Sequence, residues 1–273
     1  MLREDHQLLT QQKTPHLSIA FAQNKTEIRA AQRLRYQVFY QEMGAQPNTQ
    51  LSNVESGIDQ DIFDLYCEHL IVRDTQTSEV VGTYRLLSPS MAQRVGGYYS
   101  ETEFDLTRLG NLNDTMVEVG RSCVHPDYRQ GAVIALLWSG VMEYMRQQGY
   151  RYLIGCASIS LHDGGHAAAS IYRRCSQEHM SPKEWRVFPR KRLPLESLNS
   201  SLNVKLPPLI KAYLHLGCLV CGEPAWDTHF NSADLLLLLP LSLMDTRYAR
   251  HYFDASWRPH LPPKSYASSA PCA

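Results

Sequence analysis

The chain has 273 residues, 44% of them apolar, so it is long enough and apolar enough to bury a substantial core. Lysines plus arginines number 27, as do aspartates plus glutamates, which excludes a global electrostatic field that would select nucleic acid or an anionic membrane. Residues 1–15 are polar and carry charges of both signs, so they lack the apolar segment of a secretory signal. We predict a polar N-terminal tail over residues 1–15, one domain over 16–245 and a C-terminal extension over 246–273.

Hydrophobic periodicity divides the chain into alternating strands and helices. Strands are predicted at residues 16–22, 69–73, 79–87, 115–125, 152–158, 220–224 and 235–241. Helices are predicted at residues 25–43, 131–148, 167–179 and 206–216, with a short one near 103–109 inside the loop 88–113. The polar loop 45–61 is too long for a simple connector and is interpreted as a lid. Hairpins at both ends of this pattern favour an α/β fold, in which helices cover both faces of a mixed sheet.

The cysteines indicate a reducing compartment, because their number, seven, is odd and four of them lie in apolar or helical stretches. Cys218 and Cys221 form a CxxC pair, but no second pair follows at a suitable spacing, so we predict no metal site. The most apolar run, Leu235–Met244, is roughly half as long as the ~20 residues that a membrane-spanning helix needs. We therefore expect a cytoplasmic protein, with or without peripheral contact at the inner face of the membrane.

A basic, glycine-containing turn joins the strand 115–125 to the helix 131–148. The residues of interest in and beside this turn are Val124, Arg129, Gln130, Gly131 and Ala132. A helix N-terminus offers free backbone N–H groups and a positive dipole end to a phosphate, and Arg129 adds a cation. The alternative is that Gly131 only permits a tight turn. The residues alone leave both interpretations open.

This turn resembles the acyl-donor loop of the GNAT superfamily, where an arginine and glycine turn holds the phosphates of coenzyme A or the phosphopantetheine of acyl carrier protein. The wider chain is similar to the hemolysin-like branch of that superfamily, which includes the ornithine N-acyltransferases of ornithine-lipid synthesis. The segments that carry the resemblance are Leu34–Phe39, Asp61–Asp64, Cys67–His69, Val80–Leu86, Glu118–Val124 and Ala233–Leu235. The resemblance implies a GNAT fold and an amide-forming acyltransferase with no cofactor other than its donor substrate, acyl carrier protein or coenzyme A carrying the acyl group.

The resemblance also indicates the substrates. Gln130 and Ala132 stand where many GNAT members have further glycines, so the coenzyme A fingerprint is incomplete and acyl carrier protein is the expected donor and partner. Basic residues are concentrated between Arg173 and Arg192, as a docking surface for the acidic carrier or as a solvated basic loop. The implied reaction moves a long acyl group, with or without a 3-hydroxyl, to the α-amine of L-ornithine and gives a lyso-ornithine lipid.

Three residues are candidates for the chemistry. Glu118 lies between valines, where desolvation raises a carboxyl pKa, so it is interpreted as the base that deprotonates the amine or as a structural ion-pair partner. Arg121 is predicted to anchor the site or to hold the substrate carboxylate. The resemblance assigns Tyr172 as the acid that protonates the leaving thiolate, with core packing as the alternative. Gly120 and the resemblance together predict a bulge near Val119–Arg121, which would bring Glu118 and Arg121 to one side of the strand. The resemblance further implies that this central strand splays away from the next one.

Asp61 and Asp64 flank Phe63 and resemble the acidic pair of the related acyl-homoserine-lactone synthases. They are predicted to bind a side-chain ammonium of the acceptor, or else to form a solvated loop face. An acyl-homoserine-lactone synthase or another N-acyl amino acid synthase is the alternative enzyme, although no nucleoside-sulfonium site is evident. The alternative outside enzymes is a GNAT-like module that binds acyl ligands or membrane without catalysis. Glu118 and the donor turn favour an enzyme.

Overall fold

An eight-stranded mixed sheet is the centre of the computed structural model, which describes residues 16–46, 57–245 and 247. Its strands are β1 (Leu17–Phe21), β2 (Glu68–Asp74), β3 (Val80–Leu87), β5 (Met116–Val124), β6 (Tyr152–Ser160), β8 (Leu219–Val220), β9 (Ala225–Asp227) and β10 (Ser232–Pro240). Their order is β1-β2-β3-β5-β6-β10-β8, and β9 also pairs with β10. β5 and β6 run parallel, and the other described neighbours run antiparallel. A separate two-stranded sheet joins β4 (Phe104–Asp105) to β7 (Phe188–Pro189).

Helices cover both faces of the main sheet. They are α1 (Lys25–Tyr36), α2 (Pro89–Val95), α3 (Ala132–Gln148), α4 (His166–Glu178) and α5 (Pro208–Leu216). Successive side chains of a strand point to opposite faces. Accordingly, Tyr84 of β3 packs against Trp138 of α3, while Arg85 approaches the acidic residue Asp64, which pairs with Arg35 of α1. The predicted mixed α/β fold with helices on both faces is therefore confirmed.

The predicted elements differ from the structure mainly in the loops. The predicted helix 25–43 is regular only to Tyr36 and continues as a π-helix over Gln37–Glu42. In place of the short helix 103–109, two 3-10 helices, Tyr99–Thr102 and Thr107–Thr115, flank β4. Of the predicted strand 220–224, only Val220 lies in a strand, β8, because glycine and proline at positions 222 and 224 interrupt it, and β9 begins after it at Ala225.

The central strand β5 contains a bulge. Within its pairing with β3, Arg121 and Ser122 together oppose the single residue Tyr84. Arg121 adopts the left-handed backbone conformation, with φ at 52°. The predicted bulge near Val119–Arg121 is confirmed, although Arg121 rather than Gly120 takes the unusual conformation. The extra residue lets the side chains of positions 118 and 121 approach the same neighbour, Tyr99.

β5 and β6 separate after Glu118, just before the bulge. Their parallel pairing runs from Met116–Tyr152 to Glu118–Ile154, although β5 continues to Val124 and β6 to Ser160. A Cβ atom at Gly155 would lie 2.5 Å from the carbonyl oxygen of Val119, so glycine permits the close approach where the strands begin to part. The splay implied by the resemblance is thus present, and it opens a V-shaped space between two parallel strands.

Several predicted regions lie outside the described residues. These are the N-terminal tail, nearly all of the C-terminal extension, and positions 47–56 of the predicted lid. Within the described residues, none of the helices combines the length and the apolar character that crossing a membrane requires.

Candidate active site

A cavity of about 630 Å³, called here the main cavity, occupies the opening between β5 and β6. Glu118 and Arg121 line it towards the face covered by α1. Tyr84 and Trp138 line it towards the face covered by α3. The main cavity therefore passes through the sheet at the splay, where a long substrate can contact both faces.

Glu118 is the last residue of β5 that pairs with β6, and its buried side chain lines the main cavity. One carboxylate oxygen accepts a hydrogen bond from the backbone N–H of Tyr99 at 2.6 Å, and the other accepts from the N–H of Ser100 at 2.8 Å and from the Ser100 hydroxyl. Burial raises the pKa of Glu118 above its ordinary value, and the bonds from Ser100 and Tyr99 oppose that rise. Glu118 consequently has the raised basicity of a proton acceptor and a structural contact with the 3-10 helix Tyr99–Thr102.

Arg121 points into the main cavity from the bulge. Its guanidinium carbon lies 5.0 to 5.8 Å from the centroids of three aromatic rings, those of Phe39, Tyr99 and Phe230. Its nearest carboxylate oxygens, on Asp61 and Asp59, are 3.7 and 3.9 Å away. The side chain is only 10% exposed and makes no hydrogen bond to the described residues. Arg121 therefore retains N–H donors that an anionic ligand in the cavity can use.

Asp61 and Asp64 form a buried ion-pair network instead of lining the main cavity. Asp64 binds Arg35 through two hydrogen bonds, from Nη1 at 2.8 Å and from Nη2 at 2.9 Å. Nη1 of Arg85 donates to Oδ1 of Asp61 at 2.6 Å. The predicted acceptor-binding role required both aspartates to face the pocket, and the structure does not place them there. Arginine side chains neutralise them, so the geometry supports an anchoring role for the acidic pair.

Val124 and Arg129 of the predicted donor turn line the main cavity. Arg129 donates to both carboxylate oxygens of Glu42, at 2.6 and 2.7 Å, and to the carbonyl oxygen of Val124 at 3.1 Å. About two fifths of the Arg129 side chain is exposed, at 43%. A phosphate that bound Arg129 would therefore compete with Glu42 for the guanidinium.

The remaining residues of the donor turn begin α3. Gln130 donates to the carbonyl oxygen of Asp127 at 2.9 Å. Gly131 has φ at 105°, a conformation that glycine adopts readily, and it precedes Ala132 without a side-chain cap for the helix. The first backbone N–H groups of α3 therefore remain available to an anionic ligand.

An apolar chamber forms the part of the main cavity on the α3 face. Trp138 lies edge-on to Tyr84 and Tyr213, with centroid distances of 6.2 and 5.4 Å, and the two tyrosine hydroxyl oxygens are 3.0 Å apart. The chamber is completed by Leu153, Ala157, Leu209, Cys218 and Leu237. Nε1 of Trp138 is buried and has no hydrogen-bond partner among the described residues. The chamber suits an apolar chain and still offers one N–H donor.

An acidic cluster to which the sequence analysis gave no role lies on the α1 face. It consists of Asp227 and Asp234, which line the main cavity, and Glu103, which has a carboxylate oxygen within 4.8 Å of one of Asp234. Burial raises the pKa of Glu103 well above its ordinary value, and repulsion from Asp234 and Asp227 raises it further. Burial and repulsion from Asp227 also raise the pKa of Asp234 to about 6. Asp234 is the single charged residue of the strand Ser232–Pro240, a signal that the sequence carried; Glu103 and Asp227 carried none.

The acidic cluster has the geometry to accept a cation. Glu103, Asp234 and Cys156 each place one potential ligand atom within 4.8 Å of the others. Burial raises the pKa of the Cys156 thiol well above its ordinary value, so a metal ion would have to displace that proton to gain a thiolate ligand. An ammonium group would need only the carboxylates and the hydrogen bonds that they accept.

A second cavity, of about 320 Å³, adjoins the main cavity. The two share Tyr99, Arg121, Asp227 and Phe230 in their linings. Glu103 lines the second cavity, as do the basic residues Arg190 and Lys191. These two cations of the predicted docking region thus lie beside the acidic cluster, whereas Arg192 pairs with Glu223 at 2.8 Å.

Tyr172 lies in α4, half-buried against the main core, and lines neither cavity. Burial raises the pKa of its hydroxyl. Its position supports the alternative of core packing over the predicted role as general acid.

Comparison with known proteins is consistent with this geometry. A family model described as the acetyltransferase (GNAT) domain matches residues 34–139. The chain is 34% identical over 250 residues to the L-ornithine N(alpha)-acyltransferase of Brucella abortus (strain 2308), which covers 86% of this chain and 88% of that protein. It is 36% identical over 250 residues to the protein of that name from Rhodobacter capsulatus, and this match covers 86% of this chain and 93% of that protein. The solved structure of FeeM, an N-acyl amino acid synthase from uncultured soil microbes, matches with a TM-score of 0.52 at 13% identity, over 84% of this chain and 92% of that one, which shows a shared fold.

Proposed function

The chain belongs to the family of the L-ornithine N(alpha)-acyltransferases and is an acyltransferase, and from this premise we propose that its donor is acyl carrier protein and its acceptor L-ornithine. The transferred group is a long fatty acyl chain, and the product is an N-acylornithine, a lyso-ornithine lipid. The observation that carries the proposal is the position of Glu118. Its buried carboxylate, with a raised pKa, lies where β5 and β6 part and a thioester and an amine can meet.

The reaction forms one amide bond and breaks one thioester bond. Glu118 accepts a proton from the α-ammonium of the acceptor, directly or through water, and the neutral amine attacks the thioester carbonyl carbon. The tetrahedral intermediate, whose nitrogen still carries an extra proton, collapses with loss of the carrier thiolate, and the proton that the nitrogen gives up converts this thiolate to the leaving thiol. No covalent bond to the enzyme is required, because the amine itself is the nucleophile.

The opening between β5 and β6 offers one site for the phosphate of the donor and another for its acyl chain. The open N–H groups at the start of α3 and the guanidinium of Arg129 can bind the phosphate of the phosphopantetheine arm. The apolar chamber can take the acyl chain, since aromatic and aliphatic side chains line it. A hydroxyl on the acyl chain would give the buried N–H of Trp138 an acceptor that the described residues do not supply. These features support a long acyl donor, and the last supports one that carries a 3-hydroxyl.

Arg129→Ala is expected to weaken donor use about 10- to 100-fold in kcat/KM, because charge-assisted bonds to a phosphate are lost. Glu42→Gln is the matched control, since it removes the carboxylate that holds Arg129 in the absence of donor. We expect Glu42→Gln to leave donor use unchanged or to improve it. Steady-state rates against acyl-carrier concentration measure both variants. Equal losses in the two variants would show that the ion pair matters for structure and not for the phosphate.

The function itself is tested with purified protein, 3-hydroxyacyl carrier protein and L-ornithine. Thiol release and mass spectrometry of the lipid product follow both halves of the reaction. We expect N-acylornithine, a faster reaction than with acetyl-coenzyme A, and a rate that declines as salt screens the docking of the acidic carrier. Equal use of the two donors would refute the carrier as the preferred donor, and formation of an acyl-homoserine lactone from a sulfonium substrate would refute the acceptor.

A further inference from the structure

The second cavity provides a separate path to the reaction centre. Its rim is formed by exposed side chains, those of Thr102, Arg190, Lys191, Trp226, Thr228 and His229. From this rim it leads to Glu103 and to the lining that it shares with the main cavity. The donor turn lines only the main cavity, through Val124 and Arg129. A small polar substrate can therefore approach while the splay between β5 and β6 holds the donor.

Charged side chains of both signs keep unused hydrogen-bonding capacity at this path, although Arg121 also lies 3.7 and 3.9 Å from Asp61 and Asp59. Glu103, Asp227 and Asp234 form no ion pair with a lysine or arginine of the described residues, and Oε2 of Glu103 is buried without a hydrogen-bond partner there. Arg121, nine-tenths buried, lines both cavities and makes no hydrogen bond to those residues. A ligand that supplies the missing hydrogen-bond partners would stabilise these buried charged side chains. The complementary ligand carries a carboxylate and, separately, an ammonium.

We propose that Glu103, Asp227 and Asp234 bind the side-chain ammonium of the acceptor amino acid, which enters through the second cavity, while Arg121 binds its α-carboxylate. This assignment rests on the proposed function for the identity of the reaction. With the two outer charges held, the α-amine is the remaining polar group, and it is the one left to face Glu118. The acidic cluster thereby selects an amino acid with a second ammonium and sets which of its two amines reacts.

The test compares ornithine with norvaline, which has the same carbon chain without the terminal amine. We expect the wild-type ratio of kcat/KM values to favour ornithine about 10- to 100-fold, as a charge-assisted contact to a buried carboxylate predicts. In Glu103→Gln and in Asp234→Asn this ratio should fall by about tenfold or more. Glu223→Gln removes an acid that pairs with Arg192 and lines neither cavity, so it is the matched control and should keep the wild-type ratio.

Thermal unfolding separates recognition from a structural role. Removing one carboxylate from a cluster with raised pKa values relieves repulsion, so Glu103→Gln should raise the Tm without ligand and lose the increase in Tm that ornithine gives the wild type. A lower Tm together with equal losses for both acceptors would assign the cluster to the fold and overturn the proposal. The proposal would also be overturned if Glu103→Gln and Asp234→Asn both kept the wild-type ornithine-to-norvaline ratio. The same holds if a chelator abolished the preference for ornithine and zinc restored it. A protein that acylates neither amino acid would refute the proposed function instead.

The acceptor ratio should also depend on pH. Burial and repulsion from Asp227 raise the pKa of Asp234 to about 6, so the cluster loses negative charge as pH falls through that value. The groups that face Asp234 are Glu103, Tyr99, Cys156, Ser158, Asp227 and the hydroxyl of Ser232. We expect the ornithine-to-norvaline ratio to be largest above pH 7 and to decline between pH 7 and 5. Protonation of the α-amine and of Glu118 affects both acceptors alike, so the ratio isolates the cluster, and a ratio that is constant over this range would overturn the assignment.

Discussion

Replacement of Glu118 by glutamine is expected to lower turnover about 100-fold or more while the protein stays folded. Glutamine has nearly the same size, and its amide oxygen can still accept the bonds from Ser100. Its amide nitrogen cannot accept the bond from the Tyr99 N–H, so one buried donor loses its partner at a cost of about 1–3 kcal/mol. Turnover falls much further than stability because an amide cannot take the proton of the acceptor ammonium.

Ser100→Ala is the control for Glu118. It removes the hydroxyl bond to the carboxylate and keeps the base. Because that bond lowers the pKa of Glu118, its loss should move the acidic limb of the pH–rate profile to higher pH, with turnover retained above it. In Glu118→Gln the limb that belongs to this carboxylate should disappear. Near wild-type turnover of Glu118→Gln from pH 6 to 9, with circular dichroism showing a native fold, would eliminate Glu118 as the base.

The sequence predicted the fold well because local patterns and distant contacts agree over most of the chain. Tyr152–Ser160 and Ser232–Pro240 are predominantly apolar, and both strands were found close to their predicted limits. The bulge was expected from Gly120, yet Arg121 adopts the left-handed conformation. Arg121 gains three aromatic neighbours and two nearby carboxylates at that position, so tertiary contacts offset the local strain.

The candidate site was predictable only in part. Glu118, Arg121 and Arg129 do line one cavity, and their place in the strand and turn was visible in the sequence. The ion-pair partners of Asp61 and Asp64 were not visible in the sequence. Arg85 and Arg35 come from other elements, and no local sequence pattern predicts that they pair with these aspartates. The same holds for the acidic cluster, whose three members lie on β9, on β10 and beside β4. Asp234 stands out as the single charged residue of its strand, but Glu103 and Asp227 look like ordinary polar residues until the fold brings them beside it.

Asp64→Asn is expected to lower the free energy of unfolding by about 3–5 kcal/mol, since it removes a buried carboxylate that two buried arginines share and leaves Arg35 with Asp59 and Arg85 with Asp61. Arg35 is 1% exposed and donates two of its hydrogen bonds to Asp64. The exposed pair of Arg129 with Glu42 is the internal comparison, because solvent screens it and Glu42→Gln should cost about 0–1 kcal/mol. Urea or thermal unfolding of the three proteins measures the difference, and similar losses in the two variants would refute the importance of burial.

The pH dependence of stability gives the same network a second, independent test. Burial by itself would raise the pKa of Asp64, but Arg35 and Arg85 outweigh that effect and hold the pKa well below its ordinary value. The stabilisation is therefore fully present above the pKa of an unfolded aspartate, about 4, and is lost as pH falls from there towards the lower pKa of the folded protein. Wild-type stability should decrease between about pH 5 and 2, and Asp64→Asn should show a shallower decrease over that range because it lacks the titrating group. If the two curves instead run parallel down to pH 2, protonation of Asp64 does not contribute to acid unfolding, and the network is held by hydrogen bonds that an amide can replace.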